Sequence, residues 1–242
     1  MSNIVIITGG SKGIGFALAN KYAEEKYIVF TLSRSITENK NLKEIAIDLS
    51  DIKSVTNSFT KLLKEIKELN PASITLINNA GRLGKIGNLE TIPSDDIHQS
   101  ILLNTTIPLV LSGLFIDKLS ETDCKKQIIS ISSGAATKPY SGWSVYCSSK
   151  AAIDMMTATI AQEQSELKNG VKAYGIRPGV VDTNMQTQIR NTSVSDFKNV
   201  QRFIDLKENK ELYTPEFVAK RIFDLDTQNK LKNGETIDLR DS

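Results

Sequence analysis

The chain is poor in the residues that build metal centres and disulfide frameworks. Its 242 residues contain two cysteines, Cys124 and Cys147, and one histidine, His98. Two distant thiols without a Cys-x-x-Cys argue against a disulfide scaffold and a structural zinc site, and fit a reducing compartment. His98 sits in a polar segment with no second ligand beside it, so a solvated helix position is expected and no metal. An excess of one charge is also missing. The net charge is +2, and lysines alternate with glutamates in runs such as Lys61–Glu68, which reads as a solvated helix face rather than a surface for nucleic acid. The start, Met1-Ser2-Asn3, has no basic region, and the apolar run Ile4–Ile7 is too short for a signal peptide or a membrane span. The expectation is a soluble cytoplasmic protein with no membrane partner.

What is present is an ordinary globular composition, 40% apolar and 24% charged, patterned as alternating β-branched runs and helix-period segments. Such alternation predicts βαβ units around a parallel sheet, an α/β fold in one domain spanning residues 1–242. Strands are expected at Ile4–Thr8, Tyr27–Ser33, Ile45–Asp48, Ile74–Asn78, Gln127–Ser132, Val171–Ile176 and Thr236–Leu239. Val55, Phe59, Leu62, Leu63, Ile66 and Leu69 follow three-and-four spacing after the cap-like Ser50-Asp51 and stop before Pro71. A second long helix is expected over Ser144–Leu167. The least regular stretch, about 182–214, lies after a strand, where a lid over a substrate could sit.

Five groups of residues carry chemistry. Gly9, Ser11, Lys12, Gly13, Ile14 and Gly15 form a turn that follows the first strand and opens a helix, where backbone N–H groups and the helix dipole favour a pyrophosphate. A dinucleotide fold for NAD places an acidic residue about 20 positions later, and this chain has Ser33-Arg34 there. Arg34 offers a forked donor to a 2′-phosphate and Lys12 adds a second cation, so NADP(H) is expected. Asp48, with Leu49, either accepts from an adenine amino group or caps the next helix. Asn79, Ala80 and Gly81 end the fourth strand, at the edge where open α/β sheets bind ligands. Finally, Tyr146 and Lys150 stand four residues apart at a helix start with Ser133 upstream, so an ammonium beside a phenol is expected to lower the phenol's pKa. Cys147 adjoins Tyr146 but points elsewhere on the helix, and an inert, buried thiol is expected.

In order and spacing these motifs, with Pro178-Gly179, resemble the short-chain dehydrogenase/reductase family over nearly the whole chain. The second half, Gly142–Cys147 and Pro178–Arg190, is similar to the sepiapterin reductase branch and most of all to bacterial benzil reductases. That branch anchors its pteridine with a carboxylate near the C-terminus, where this chain offers Asp238 and Asp241 without assigning the role to either. The resemblance implies a seven-stranded doubly wound Rossmann sheet, a nicotinamide cofactor and the set Asn104, Ser133, Tyr146 and Lys150. By that resemblance Tyr146 donates a proton, Ser133 polarises the carbonyl, Lys150 grips the nicotinamide ribose, Asn104 holds a relay water, and Val181 and Thr183 orient the carboxamide. Ala135, Tyr140, Trp143, Met185 and Ile189 border these residues and would line a pocket for a hydrophobic ketone or 1,2-diketone. Trp143 could equally be a packing residue. The reading is an NADPH-dependent carbonyl reductase; a 3-oxoacyl thioester reductase and a silent NADP-sensing regulator are the alternatives. Ala151, Ala152, Met155, Met156, Thr159 and Ile160 could serve a homodimer interface or the core.

Overall fold

The computed structural model describes residues 2–241. Seven strands form one parallel sheet in the order β3-β2-β1-β4-β5-β6-β7. Their ranges are β1 Asn3–Thr8, β2 Ile28–Ser33, β3 Lys43–Ala46, β4 Ser73–Asn78, β5 Lys125–Ile131, β6 Lys172–Arg177 and β7 Thr236–Asp238. All seven expected strands are present, with ends shifted by one or two residues. The inner ones are apolar throughout because helices cover both faces of a parallel sheet, leaving no wet side to select polar residues. On one face α1 (Gly13–Glu24) and α8 (Pro215–Thr227) pack on Val5, Ile7 and Ile176. On the other, α2 (Ile52–Glu68) and α4 (Ile107–Lys118) pack on Ile4, Ile6 and Ile74.

Helix α2 illustrates how local sequence sets these layers. Val55, Phe59, Leu62, Leu63 and Ile66 recur on one face and are buried, while Asp51 caps the first turn by accepting from Ser54 N at 3.0 Å. Burying each large apolar side chain of that stripe stabilises the fold by about 1.5–3 kcal/mol. The cap assignment also settles one alternative. Asp48 does not cap α2; its carboxylate accepts from Ser50 N at 2.9 Å and Ser50 Oγ at 2.8 Å, which closes a local turn.

The run Ser94–Lys118, comprising α3 (Ser94–Ile101), a π-helical turn (Leu102–Thr106) and α4, is long and apolar enough to cross a membrane by composition alone. Ile107, Leu111 and Phe115 account for that apolarity, since they pack into the sheet. His98 is exposed on α3, as expected. Helix α5 spans Ser144–Gln164, three residues shorter at its end than expected.

The stretch 182–214 is more regular than its sequence suggests. It holds α6 (Asn184–Arg190) and α7 (Val200–Glu208), and Phe197, Val200 and Phe203 turn inward. Both helices are short and lie where flanking polar residues dilute the periodic signal, so pattern alone reads as loop. The order of strands reverses between β1 and β4, and open α/β sheets form a ligand crevice at the carboxyl ends of such a pair.

Candidate active site

The turn from β1 into α1 is shaped for a phosphate. Gly13 has φ +56°, a conformation that side chains resist, and α1 begins at Lys12 with no side-chain cap and no acidic residue in its first turn. Its first N–H groups and dipole are therefore available to an anion. A Cβ on Gly15 would lie 2.2 Å from Gly9 O and 2.4 Å from Asn79 Nδ2, so only glycine lets the helix start this close to the sheet. Asn79 uses its amide to hold that turn, donating to Thr8 O at 2.9 Å and Gly9 O at 3.3 Å. Thr8 Oγ1 accepts from Asn79 N and Ala80 N, both at 3.0 Å, which ties the end of β4 to the glycine turn. Sequence reading missed Thr8 because a threonine ending a strand carries no local signal.

Further along the crevice, Arg34 and Asp48 are exposed beside one another, and the guanidinium helps hold the Asp48 carboxyl below its ordinary range after the two Ser50 hydrogen bonds. Leu49 is buried against α2 and belongs to the core. At the other end, Tyr213 N donates to Val180 O and Asp182 N donates to Tyr213 O, so this parallel bridge points Val181's own N–H and C=O away from Tyr213. The Thr183 methyl lies 3.4 Å from where a Cβ on Gly13 would stand, which brings Thr183 beside the glycine turn. Pro178 and Gly179, the latter at φ +78°, precede the bridge. These groups fit an extended dinucleotide with its pyrophosphate at α1. The pyrophosphate would rest on Ser11 to Gly15, and the nicotinamide end would meet Val181, Thr183, Tyr146 and Lys150.

Tyr146 and Lys150 lie one turn apart on the buried face of α5, with Ser149 between them. Lys150 Nζ is 5.8 Å from the centre of the Tyr146 ring and donates to Ile131 O at 2.7 Å, which anchors it to the end of β5. Asn104 sits in the π-helical turn, where its Oδ1 accepts from Arg82 N and its Nδ2 donates to Arg82 O, both at 2.8 Å, and to Ser149 Oγ at 3.1 Å. A Cβ on Gly81 would stand 3.3 Å from Asn104 Oδ1 and 3.8 Å from Lys150 Nζ, so the three positions converge on one point. Ser133 begins the turn after β5, with its hydroxyl accepting from Ala135 N at 3.2 Å.

One expectation is corrected here. Tyr146 is pushed up to about 12, not down, because burial disfavours the phenolate more than the neighbouring Ser133 hydroxyl favours it. Burial likewise lowers Lys150 to about 8, partly offset by Asp154 one turn further along α5. The same desolvation that hides the pair from water raises the phenol and lowers the amine, so the two shifts oppose the simple picture of a cation stabilising a phenolate. Asp154 was not legible as part of the site. It accepts from Ser132 Oγ at 2.5 Å and from Arg177 Nη2 at 2.6 Å, and so lays a paired carboxylate beneath Lys150.

An apolar wall faces these groups. Trp143 stacks on Phe197 with centres 4.5 Å apart and packs edge-on to Tyr146 at 5.6 Å. Tyr140, Ala135, Met185 and Ile189 join the same cluster, together with Leu83, Ile86 and Phe203, which come from segments distant in sequence. Trp143 is thus both a packing residue and a neighbour of the phenol. Met185 Sδ lies 3.9 Å from the Tyr146 hydroxyl. The Tyr140 hydroxyl accepts from Arg202 Nη1 of α7 at 3.1 Å. Cys147, half-buried, has its thiol pushed up by burial, which keeps it protonated and unreactive. The pair Asp238 and Arg240 hydrogen-bonds to itself, with Arg240 Nε 2.8 Å from Asp238 Oδ1, so the Asp238 carboxylate is already engaged.

The chain is similar to known proteins over most of its length. The pattern of the short chain dehydrogenases matches residues 3–194. A benzil reductase ((S)-benzoin forming) of Bacillus cereus is 40% identical, covering 96% of this chain and 97% of that protein. The sepiapterin reductase of Xenopus laevis is 27% identical over 99% of this chain and 96% of its own length. Among solved structures, the KRED1-Pglu enzyme superposes with a TM-score of 0.84 at 26% identity, covering 98% of this chain and all of that one. A glycine turn, a seven-stranded parallel sheet and the convergence of Ser133, Tyr146 and Lys150 thus go with a sequence match over most of the chain: the protein belongs to the short-chain dehydrogenase/reductase family and is a nicotinamide-dependent oxidoreductase acting on small carbonyl compounds.

Proposed function

We propose that the chain is an NADPH-dependent reductase of hydrophobic ketones and vicinal diketones. The observation that carries the reading is the Tyr146 hydroxyl set between Ser133, the Met185 thioether and the Trp143 ring, a hydrogen-bonding centre inside an apolar wall. Benzil reduction by the Bacillus cereus relative supports the same substrate class.

When bound at the glycine turn, a dihydronicotinamide would supply the hydride. The protein's own residues do the rest. Ser133 and Tyr146 donate to the carbonyl oxygen, and Tyr146 passes its proton to the oxygen as negative charge builds there. Unperturbed, the phenol would cost about 4 kcal/mol to ionise at pH 7, from roughly three pK units at about 1.36 kcal/mol each, and burial adds to that cost. The proton therefore moves in concert with charge on the substrate oxygen, and Lys150 restores it while holding the ribose. Asn104, at the same convergence point, positions the water that relays the proton from solvent.

Preference for NADPH is read from Arg34, exposed at the end of β2 where no carboxylate stands to accept from a ribose hydroxyl. Lys12 at the start of α1 adds to that field. Helices α6 and α7 act as the lid, bringing Met185, Ile189, Phe197 and Phe203 over the substrate. Met155, 68% exposed on α5, and Leu109, 49% exposed on α4, favour a homodimer through these helices, and the thiols favour a cytoplasmic location.

The test is oxidation of NADPH, with NADH beside it, across benzil, an aryl diketone, simple ketones and an acetoacetyl thioester. Faster turnover of aromatic diketones with NADPH is the expected result. Preference for the thioester would overturn the substrate reading, and equal use of NADH would overturn the cofactor reading.

A further inference from the structure

Gln186 is 2% exposed, yet among the described residues neither its amide nitrogen nor its amide oxygen has a hydrogen-bond partner. The indole Nε1 of Trp143 is buried and unpartnered as well. Groups left in that state weaken a fold, and most buried polar atoms avoid it. A leucine or a phenylalanine would fill either space without the penalty.

Trp143 flanks the reactive phenol, and Gln186 lies on α6, the helix that brings Met185 and Ile189 into the same cluster. Trp143 packs edge-on to Tyr146, and Gln186 follows Met185, whose sulfur touches the Tyr146 hydroxyl. One turn on, Ile189 shares the buried face of α6 with Gln186 and packs into the cluster that holds Trp143 and Tyr146. An indole N–H donates only, and an amide N–H₂ donates twice, while a ketone oxygen accepts through two lone pairs. Each donor therefore suits a carbonyl oxygen other than the one at Tyr146 and Ser133.

We propose that the Gln186 amide and the Trp143 indole N–H bind the oxygen adjacent to the reacting carbonyl, and so select vicinal dicarbonyl compounds over simple ketones. The proposal rests on the reductase reading above and adds two specificity-determining groups to it. The amide oxygen of Gln186 remains for a hydroxyl at the same place, as in an α-hydroxy ketone.

Benzil and deoxybenzoin share two phenyl rings and differ by that one oxygen. Diketones are also intrinsically more electrophilic, so the informative quantity is how the ratio of kcat/KM values changes with mutation. Gln186→Leu should lower kcat/KM for benzil by about 10–100-fold, the loss expected when a buried hydrogen bond to substrate is removed, and leave deoxybenzoin within about 3-fold. Its Tm should not fall, because two unpaired polar atoms have been removed. Trp143→Phe should move the ratio the same way and serves if the leucine variant is not recovered. An unchanged ratio in both variants overturns the proposal, and so does an equal loss on both substrates with a lower Tm, which is the mark of a structural role. If deoxybenzoin is reduced by the wild type and neither benzil nor diacetyl is, the proposal falls and the reductase reading stands. If no carbonyl oxidises NADPH, the reductase reading falls first.

Discussion

Two buried glutamines sit at opposite ends of the sheet and live in opposite circumstances. Gln127, near the amino end of β5, donates to Asp226 and to Thr75 Oγ1, and Asp226 also accepts from the Tyr22 hydroxyl at 2.6 Å. The Gln127 amide nitrogen, the Tyr22 hydroxyl and the Asp226 carboxylate are thus engaged with one another within the fold, and the Tyr22 hydroxyl is held far above its usual range by burial and by the carboxylate. Gln186, at the carboxyl end, has no such partners. The difference shows where this chain invests in stability and where it holds hydrogen-bonding capacity in reserve for a ligand.

The comparison is sharpest in what substitutions should do, and the largest effect belongs to the carboxyl end. Tyr146→Phe is expected to lower kcat/KM by about 10³–10⁴-fold while NADPH binding, followed by cofactor fluorescence, persists. Next, Arg34→Ser should weaken NADPH by about 10–100-fold and leave NADH nearly untouched, as the ratio of the two kcat/KM values would reveal. At the amino end, Gln127→Leu should leave turnover unchanged and cost about 1–3 kcal/mol in urea unfolding, because it strands Asp226 and Thr75. Destabilisation by Gln186→Leu of the same size would erase the contrast between the two glutamines.

The smallest effect is a pH dependence. Lys150 has a folded value of about 8 against an ordinary 10.5, so the folded state releases its proton first. The unfolded chain binds more protons between those values, and stability attributable to this group rises with pH from about 8 to 10.5. Thermal melts of wild type against Lys150→Met should show that difference growing across the window. Turnover should move the other way, falling as Lys150 loses its charge above about 8. Asp154→Asn, which removes a charge that raises the lysine, should bring that fall to lower pH; an unmoved pH profile would show that Asp154 does not tune Lys150.

How much of this was legible beforehand depended on range. Strands β1 to β7 and helix α2 announce themselves because burial on both sheet faces, or on one helix face, repeats within a few residues. Gly13, Gly15, Ser133, Tyr146 and Lys150 were legible because their spacing is itself the chemistry. Leu83, Ile86 and Phe203 were not, since each is an ordinary apolar residue until the chain folds it beside Trp143. Asp154 and Thr8 were hidden for the same reason: their partners, Arg177 and Asn79, are distant in sequence.

The sequence by itself determined the sheet, the glycine turn for a dinucleotide, and the presence of a phenol, an amine and a hydroxyl at compatible spacing, all of them local properties. Only the tertiary structure decided the sign of the Tyr146 shift, the pairing of Asp154 beneath Lys150 and the isolation of Gln186. Those depend on which groups exclude water from which others, and desolvation is a property of the packed whole.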